Sequence, residues 1–146
     1  MRGMQLILTV LATAAPISFA VAAGEPMIVA PEKIAWAPAE GLPPGAEVTA
    51  LFGNPAAEGP FAIRFKFPAG YEIPTHSHPT DELITVLSGG ARMAFGEDAS
   101  EADAQPFPAG AFMSLPGGTW HHLWIDSDTV VELHSTGPFG VELHQD

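Results

Sequence analysis

Turn signals interrupt this chain too often for helices. Gly53-Asn54-Pro55, Pro68-Ala69-Gly70, Ser88-Gly89-Gly90, Pro108-Ala109-Gly110 and Pro116-Gly117-Gly118 break it at short intervals. No segment between them carries an apolar stripe of helical period. What lies between is strand-like. Phe61, Ile63, Phe65 and Phe67 alternate with Arg64 and Lys66, so one face is greasy and the other polar. We read strands near 47–52, 61–67, 72–77, 82–88, 91–95, 111–115, 120–126, 129–135 and 139–144. Short strands at this spacing predict an all-β sandwich or barrel. The chain has 15 Gly and 15 Pro, as a turn-rich fold requires. Its 146 residues suffice for one domain. The acidic stretch 97–105 reads as a solvated loop or a single helical turn.

Residues 1–23 read differently. Arg2 is followed by an apolar run from Leu6 to Ala15, and Ala20-Val21-Ala22 makes a small-x-small site. This pattern predicts a signal peptide cleaved before Ala23 or Gly24. Pro16 and the small residues break the run before it reaches the length of a membrane anchor. The expectation is an exported protein, periplasmic in a Gram-negative source and otherwise secreted. Residues 24–46 carry Pro26, Pro31, Pro38, Pro43 and Pro44, which predicts an extended arm. Ile28-Val29 and Ile34-Ala35-Trp36 are expected to add short strands. Residues 47–146 form the single domain.

Charge narrows the partners. The net charge is -12, with only five Lys and Arg and no cluster of them. Nucleic acid is excluded as a partner, and so is an anionic membrane once the leader is gone. No cysteine is present, which rules out disulfides, thiolate metal sites and cysteine nucleophiles.

The chemistry is concentrated in Gly70–Gly89 and Gly110–His121. His76 and His78 stand two apart, so on a strand they share a face about 6–7 Å apart at Cα. After a turn at Pro79-Thr80, Glu82 opens the next strand and returns beside them. His121 follows the Pro116-x-Gly118 turn, with Leu123 and Ile125 on its face. Spacing alone leaves open whether His121 meets the other three.

Together these residues resemble the two motifs of the cupin family. Gly70, His76, His78, Glu82 and Gly89 match the first motif at every position. Gly110, Pro116, Gly118 and His121 match the second, whose closing Asn is replaced by Ile125. The resemblance covers about residues 47–144. It implies a jelly-roll β-barrel in which His76, His78, Glu82 and His121 hold one divalent metal.

Three imidazoles and a carboxylate suit Mn, Fe, Ni, Cu or Zn, and not Ca or Mg. Such a site leaves coordination open to a small oxygen-donor ligand such as a carboxylate, enolate or diol. Three readings follow. The first is a metalloenzyme of oxygenase, isomerase, decarboxylase or lyase type. The second is a non-catalytic metal- or ligand-binding module or sensor, and the third a barrel whose metal is structural. No dedicated general base stands out, so catalytic and substrate-binding residues stay unassigned. His122 leaves its strand by the opposite face from His121 and reads as structural or interfacial. His134 and His144 read as solvent-facing. Trp120 and Trp124 read as packing residues, and Arg64 and Tyr71 as secondary candidates for substrate contact. The apolar arm at Pro26–Trp36 and an open sheet edge suggest a homodimer.

Overall fold

A computed structural model describes residues 25–144. The signal-peptide reading of residues 1–23 lies outside the described residues. Two antiparallel sheets face each other. The first has six strands in the order β1 (Ala37–Pro38), β2 (Glu47–Phe52), β3 (Gly59–Phe67), β10 (Thr129–Gly137), β5 (Glu82–Ser88) and β8 (Phe112–Leu115). The second has five, in the order β11 (Glu142–Leu143), β4 (Glu72–Ser77), β9 (His121–Ile125), β6 (Gly90–Phe95) and β7 (Gln105–Pro108). The all-β jelly-roll expectation holds. No helix among the described residues is long and apolar enough to cross a membrane.

The core sits between the sheets. Phe61, Ile63 and Phe67 of β3 meet Ile84 and Val86 of β5 and Leu123 and Ile125 of β9. Alternation explains why: each strand turns every second side chain inward. On β9, His121, Leu123 and Ile125 are buried, while His122 and Trp124 are half-buried on the outer face.

The expected strand positions hold, except that 139–144 shrinks to Glu142–Leu143, with two omissions and one excess. The omitted strands are β1 and β7. Both contain proline, β1 at Pro38 and β7 at Pro106 and Pro108, and both lie at a sheet edge. Proline lacks the donor a central strand needs, so it reads as loop in sequence yet is tolerated at an edge. The excess is in the arm. Ile28-Val29 and Ile34-Ala35-Trp36 form no strands; a 3-10 turn occupies Pro31–Lys33 instead. Trp36 packs on its own barrel, with Lys66 Nζ 4.0 Å from the ring centroid. A single 3-10 turn at Glu101–Asp103 sits within the acidic stretch, as read.

Gly89 shows why a turn glycine is required. Its φ is +78°, and a Cβ there would lie 2.3 Å from the Asp128 carbonyl oxygen. A side chain would meet both an unfavourable backbone region and a backbone wall.

Candidate metal centre

The site begins with an irregularity in β4. Ile73 pairs with Leu123 and His76 with His121, so three steps along β4 oppose two along β9. The extra residue is a bulge around Pro74 and Thr75. Strict alternation from Ile73 would turn Thr75 and Ser77 inward. The bulge resets the phase: Ile73 joins the core, and His76 and His78 both reach the cluster with His121, while Ser77 between them is buried as well. Thr75 is left on the outer face, where its hydroxyl lies 3.2 Å from His122 Nδ1.

His76, His78 and His121 come together inside the barrel. Their ligand nitrogens lie within 4.8 Å of one another. The ring centroids stand 4.1 Å apart for His76–His121, 5.0 Å for His76–His78 and 5.5 Å for His78–His121. Each Nδ1–H donates to a backbone carbonyl: His76 to Pro74 at 2.7 Å, His78 to Gly140 at 2.7 Å, and His121 to Thr119 at 2.8 Å. A carbonyl can only accept, so each bond fixes the tautomer that leaves Nε2 with a free lone pair. Three lone pairs therefore face one region. This is how proteins orient metal-binding histidines.

Glu82 is buried beside them. Its carboxylate oxygens lie 3.4 Å from His78 Nε2 and 3.6 Å from His121 Nε2. Burial pushes the Glu82 carboxyl up to about 8 and His78 down to about 4. Burial also lowers His76, helped by its histidine neighbours, and lowers His121. All three imidazoles are thus neutral at pH 7, the form in which they bind metals. A cluster of three nitrogens with an adjacent carboxylate fits a divalent transition metal.

The other sequence candidates lie elsewhere. His122 stacks on Trp124 at 4.0 Å and donates Nε2–H to Glu72 at 2.6 Å, on the outer face as expected. His134 is exposed and bonds Glu132, while His144 is half-buried with Trp120 edge-on at 5.3 Å. Arg64 and Tyr71 are engaged structurally: Arg64 pairs with Glu132 at 2.6 Å, and the Tyr71 hydroxyl donates to the Pro43 carbonyl. Asp81, the exposed neighbour of Glu82 in the chain, accepts from Gly117 N–H at 2.8 Å.

Sequence reasoning missed Phe139 and Phe95. Phe139 stacks on the His78 ring at 4.5 Å. Phe95 pairs across the sheet with His121, sharing its face, and is 44% exposed. Neither follows a motif. Both depend on which segments of the chain become neighbours.

The fold has solved relatives. An rmlc-like cupin protein from Desulfovibrio desulfuricans is 26% identical, with 63% of this chain and 82% of that chain covered at a TM-score of 0.52. The polyketide cyclase RemF from Streptomyces resistomycificus is 15% identical, over 80% and 84% of the two chains, at 0.64. A salicylate 1,2-dioxygenase from Pseudoaminobacter salicylatoxidans in complex with gentisate is 13% identical, over 71% of this chain and 30% of its own, at 0.58. No curated protein matches the chain. The family model for the cupin domain matches residues 63–137, which is 75 of the chain's 146 residues. That span contains the bulged His-x-His strand, Glu82 and His121, and by it the chain belongs to the cupin family.

Proposed function

We propose that this protein is a mononuclear metalloprotein, and a metalloenzyme acting on a small oxygen-rich molecule. His76, His78 and His121 would hold the ion through Nε2, and Glu82 through its carboxylate. The observation that carries this reading is the shared tautomer: three Nδ1–H groups bound to carbonyls leave three Nε2 lone pairs converging beside a buried carboxylate. Mn, Fe, Ni, Cu or Zn suits that donor set. When bound, such an ion supplies Lewis-acid or oxygen-activating chemistry at its open coordination positions. The chain's own residues set the surroundings. The four side chains are themselves buried, which limits the access of water to them. Phe95, half exposed on the face of His121, gives an arriving molecule an apolar surface. The three imidazoles stay neutral, so once a divalent ion is held and Glu82 has given up its proton the site carries about one positive charge, which favours an oxygen-donor ligand.

A polyketide cyclase and a gentisate-bound dioxygenase share the fold, but at 13–15% identity they speak to fold alone. The reaction class, whether oxygenase, isomerase, decarboxylase or lyase, therefore rests on the site. One observation favours a second reading, a non-catalytic metal- or ligand-binding module. Among the described residues, the buried polar side chains besides the four are Thr49, Ser77, Thr129 and Tyr71, whose hydroxyl is bound to the Pro43 carbonyl and held protonated by burial. None is a general acid or base at neutral pH.

The test is metal content. Protein purified without tags or chelators should carry about one transition metal per chain by elemental mass spectrometry, and His121→Ala should carry almost none. Equal, negligible metal in both would remove the assignment. Turnover of a panel of small carboxylates and diols, lost in His76→Ala, separates the enzyme from the binding module.

We extend the reading to export and to a homodimer. Residues 1–23 support export, and N-terminal sequencing of exported protein tests it: a retained Met1 would count against it. Ile28, 94% exposed on the arm, supports contact with a second copy. Deleting residues 24–36 should lower the mass in solution, and an unchanged mass would count against the dimer.

A further inference from the structure

The three imidazoles are not held alike. His76 and His121 each donate to a carbonyl two residues back, on Pro74 and Thr119. Their orientation is local. The partner of His78 is Gly140, 62 positions further along the chain. The Phe139 ring lies flat against His78, with the planes 10° apart. One ligand of the cluster is thus oriented by the C-terminal segment.

That segment is pinned at both ends. Phe139 N–H donates to the Pro55 carbonyl at 2.7 Å, and the Phe139 ring meets Phe61 edge-on at 5.3 Å. Gly137 fits so closely that a Cβ would lie 2.1 Å from the Ala57 carbonyl oxygen. Beyond Gly140, β11 pairs with Ser77 and His76 of β4, and His144 N–H donates to the Thr75 carbonyl at 2.9 Å. Between these anchors, Phe139 and Gly140 have little freedom against the His78 ring.

We propose that Phe139 and Gly140 are the positioning residues of the metal centre, the ring and the carbonyl together fixing the orientation and tautomer of His78. This rests on the reading of the three histidines as metal ligands. An imidazole can flip about its outer torsion and can carry its proton on either nitrogen. The Phe139 face limits which planes the ring can adopt. The Gly140 carbonyl holds the proton on Nδ1. Without them Nε2 would present its lone pair to the cluster only part of the time.

The experiment compares full-length wild type, Phe139→Ala and Phe139→Leu. Co²⁺ affinity is measured by chelator competition, and histidine tautomers by long-range ¹H–¹⁵N spectra of the metal-free protein. Phe139→Ala should weaken Co²⁺ about 10–100-fold. His78 should become a tautomer mixture, while His76 and His121 each keep one form. Phe139→Leu keeps the core filled and should melt near wild type, yet should still leave His78 mixed. A merely structural role would lower the melting temperature without moving the tautomer. The proposal is overturned if His78 keeps a single tautomer in both variants and Co²⁺ binding stays within twofold. If the wild type takes no Co²⁺, the metal reading falls, while the metal-free spectra still decide whether Phe139 orients His78.

Discussion

Glu82 Oε1 stands 3.4 Å from His78 Nε2 with no imidazole hydrogen between them, because His78 spends its N–H on Gly140 from the other side of the ring. The same holds for Glu82 Oε2 and His121 Nε2 at 3.6 Å, with Thr119 as the acceptor of the His121 N–H. Acceptors therefore face acceptors. Two species can relieve this: a proton on Glu82 or a cation between the groups. The burial that raises the Glu82 carboxyl to about 8 selects the proton in the metal-free protein.

Metal uptake should therefore release a proton from a carboxylic acid. At pH 7 a group titrating near 8 is about nine-tenths protonated, and the imidazoles are already neutral. Calorimetric titration with Zn²⁺ in two buffers of different ionisation enthalpy should show about one proton released per ion. Glu82→Gln should release almost none. Equal release in both proteins would mean the proton comes from elsewhere.

Stability of the metal-free protein should depend on pH in two opposite ways. His78 has a folded value lowered to about 4, so the stability it contributes is present above 6.5 and lost as pH falls towards 4. His76 and His121 shift the same way. Glu82 has a folded value raised to about 8, so its contribution is present below 4.5 and lost as pH rises through 8. Between 6.5 and 8 Glu82 alone of these four favours the acid side. The midpoint of thermal unfolding in chelator should fall across that window, by no more than about 1.4 kcal/mol per pH unit in free energy. Glu82→Gln should flatten the decline. A midpoint rising from pH 6.5 to 8 in wild type would contradict the assignment.

Gly89 and Gly90 should behave differently although they are adjacent. Gly89 combines φ of +78° with a Cβ position 2.3 Å from Asp128 O and 2.4 Å from Thr129 Oγ1. Gly89→Ala should cost upwards of about 2 kcal/mol in urea unfolding. Nothing lies within 4 Å of a Cβ at Gly90, so Gly90→Ala should stay within about 0.5 kcal/mol. Equal losses would show that chain flexibility, not the close approach, sets the requirement.

Arg64 should matter little to the site. Its Nε donates to Glu132 at 2.6 Å in a pair whose side chains are 28% and 20% exposed. Partly solvated pairs of this kind contribute on the order of 1 kcal/mol or less. Arg64→Gln should lower the melting temperature slightly and leave Co²⁺ affinity within twofold. A tenfold loss of affinity would show that Arg64 acts on the metal centre.

Much of this was legible in the residues. The alternation of Phe61, Ile63, Phe65 and Phe67 against Arg64 and Lys66 defines a half-buried strand without any partner in view. The same period places Glu82, Ile84 and Val86 on one face of β5, where all three are buried. The prolines at Pro38, Pro106 and Pro108 hid two edge strands, because proline signals a break whether the chain ends a strand or borders a sheet.

Strand periodicity, turn positions and the types of the donor groups follow from the residues alone, because these depend on backbone stereochemistry and side-chain chemistry within a few residues. Which donors face each other follows only from how the strands assemble. The bulge at Pro74–Thr75 resets the phase of β4 and turns His76 and His78 inward beside Ile73. The pairing of β4 with β9 brings His121 to them, and the C-terminal segment brings Phe139 and Gly140 to His78. Register and neighbour choice are settled by contacts between segments far apart in the chain. Local periodicity holds no record of those contacts.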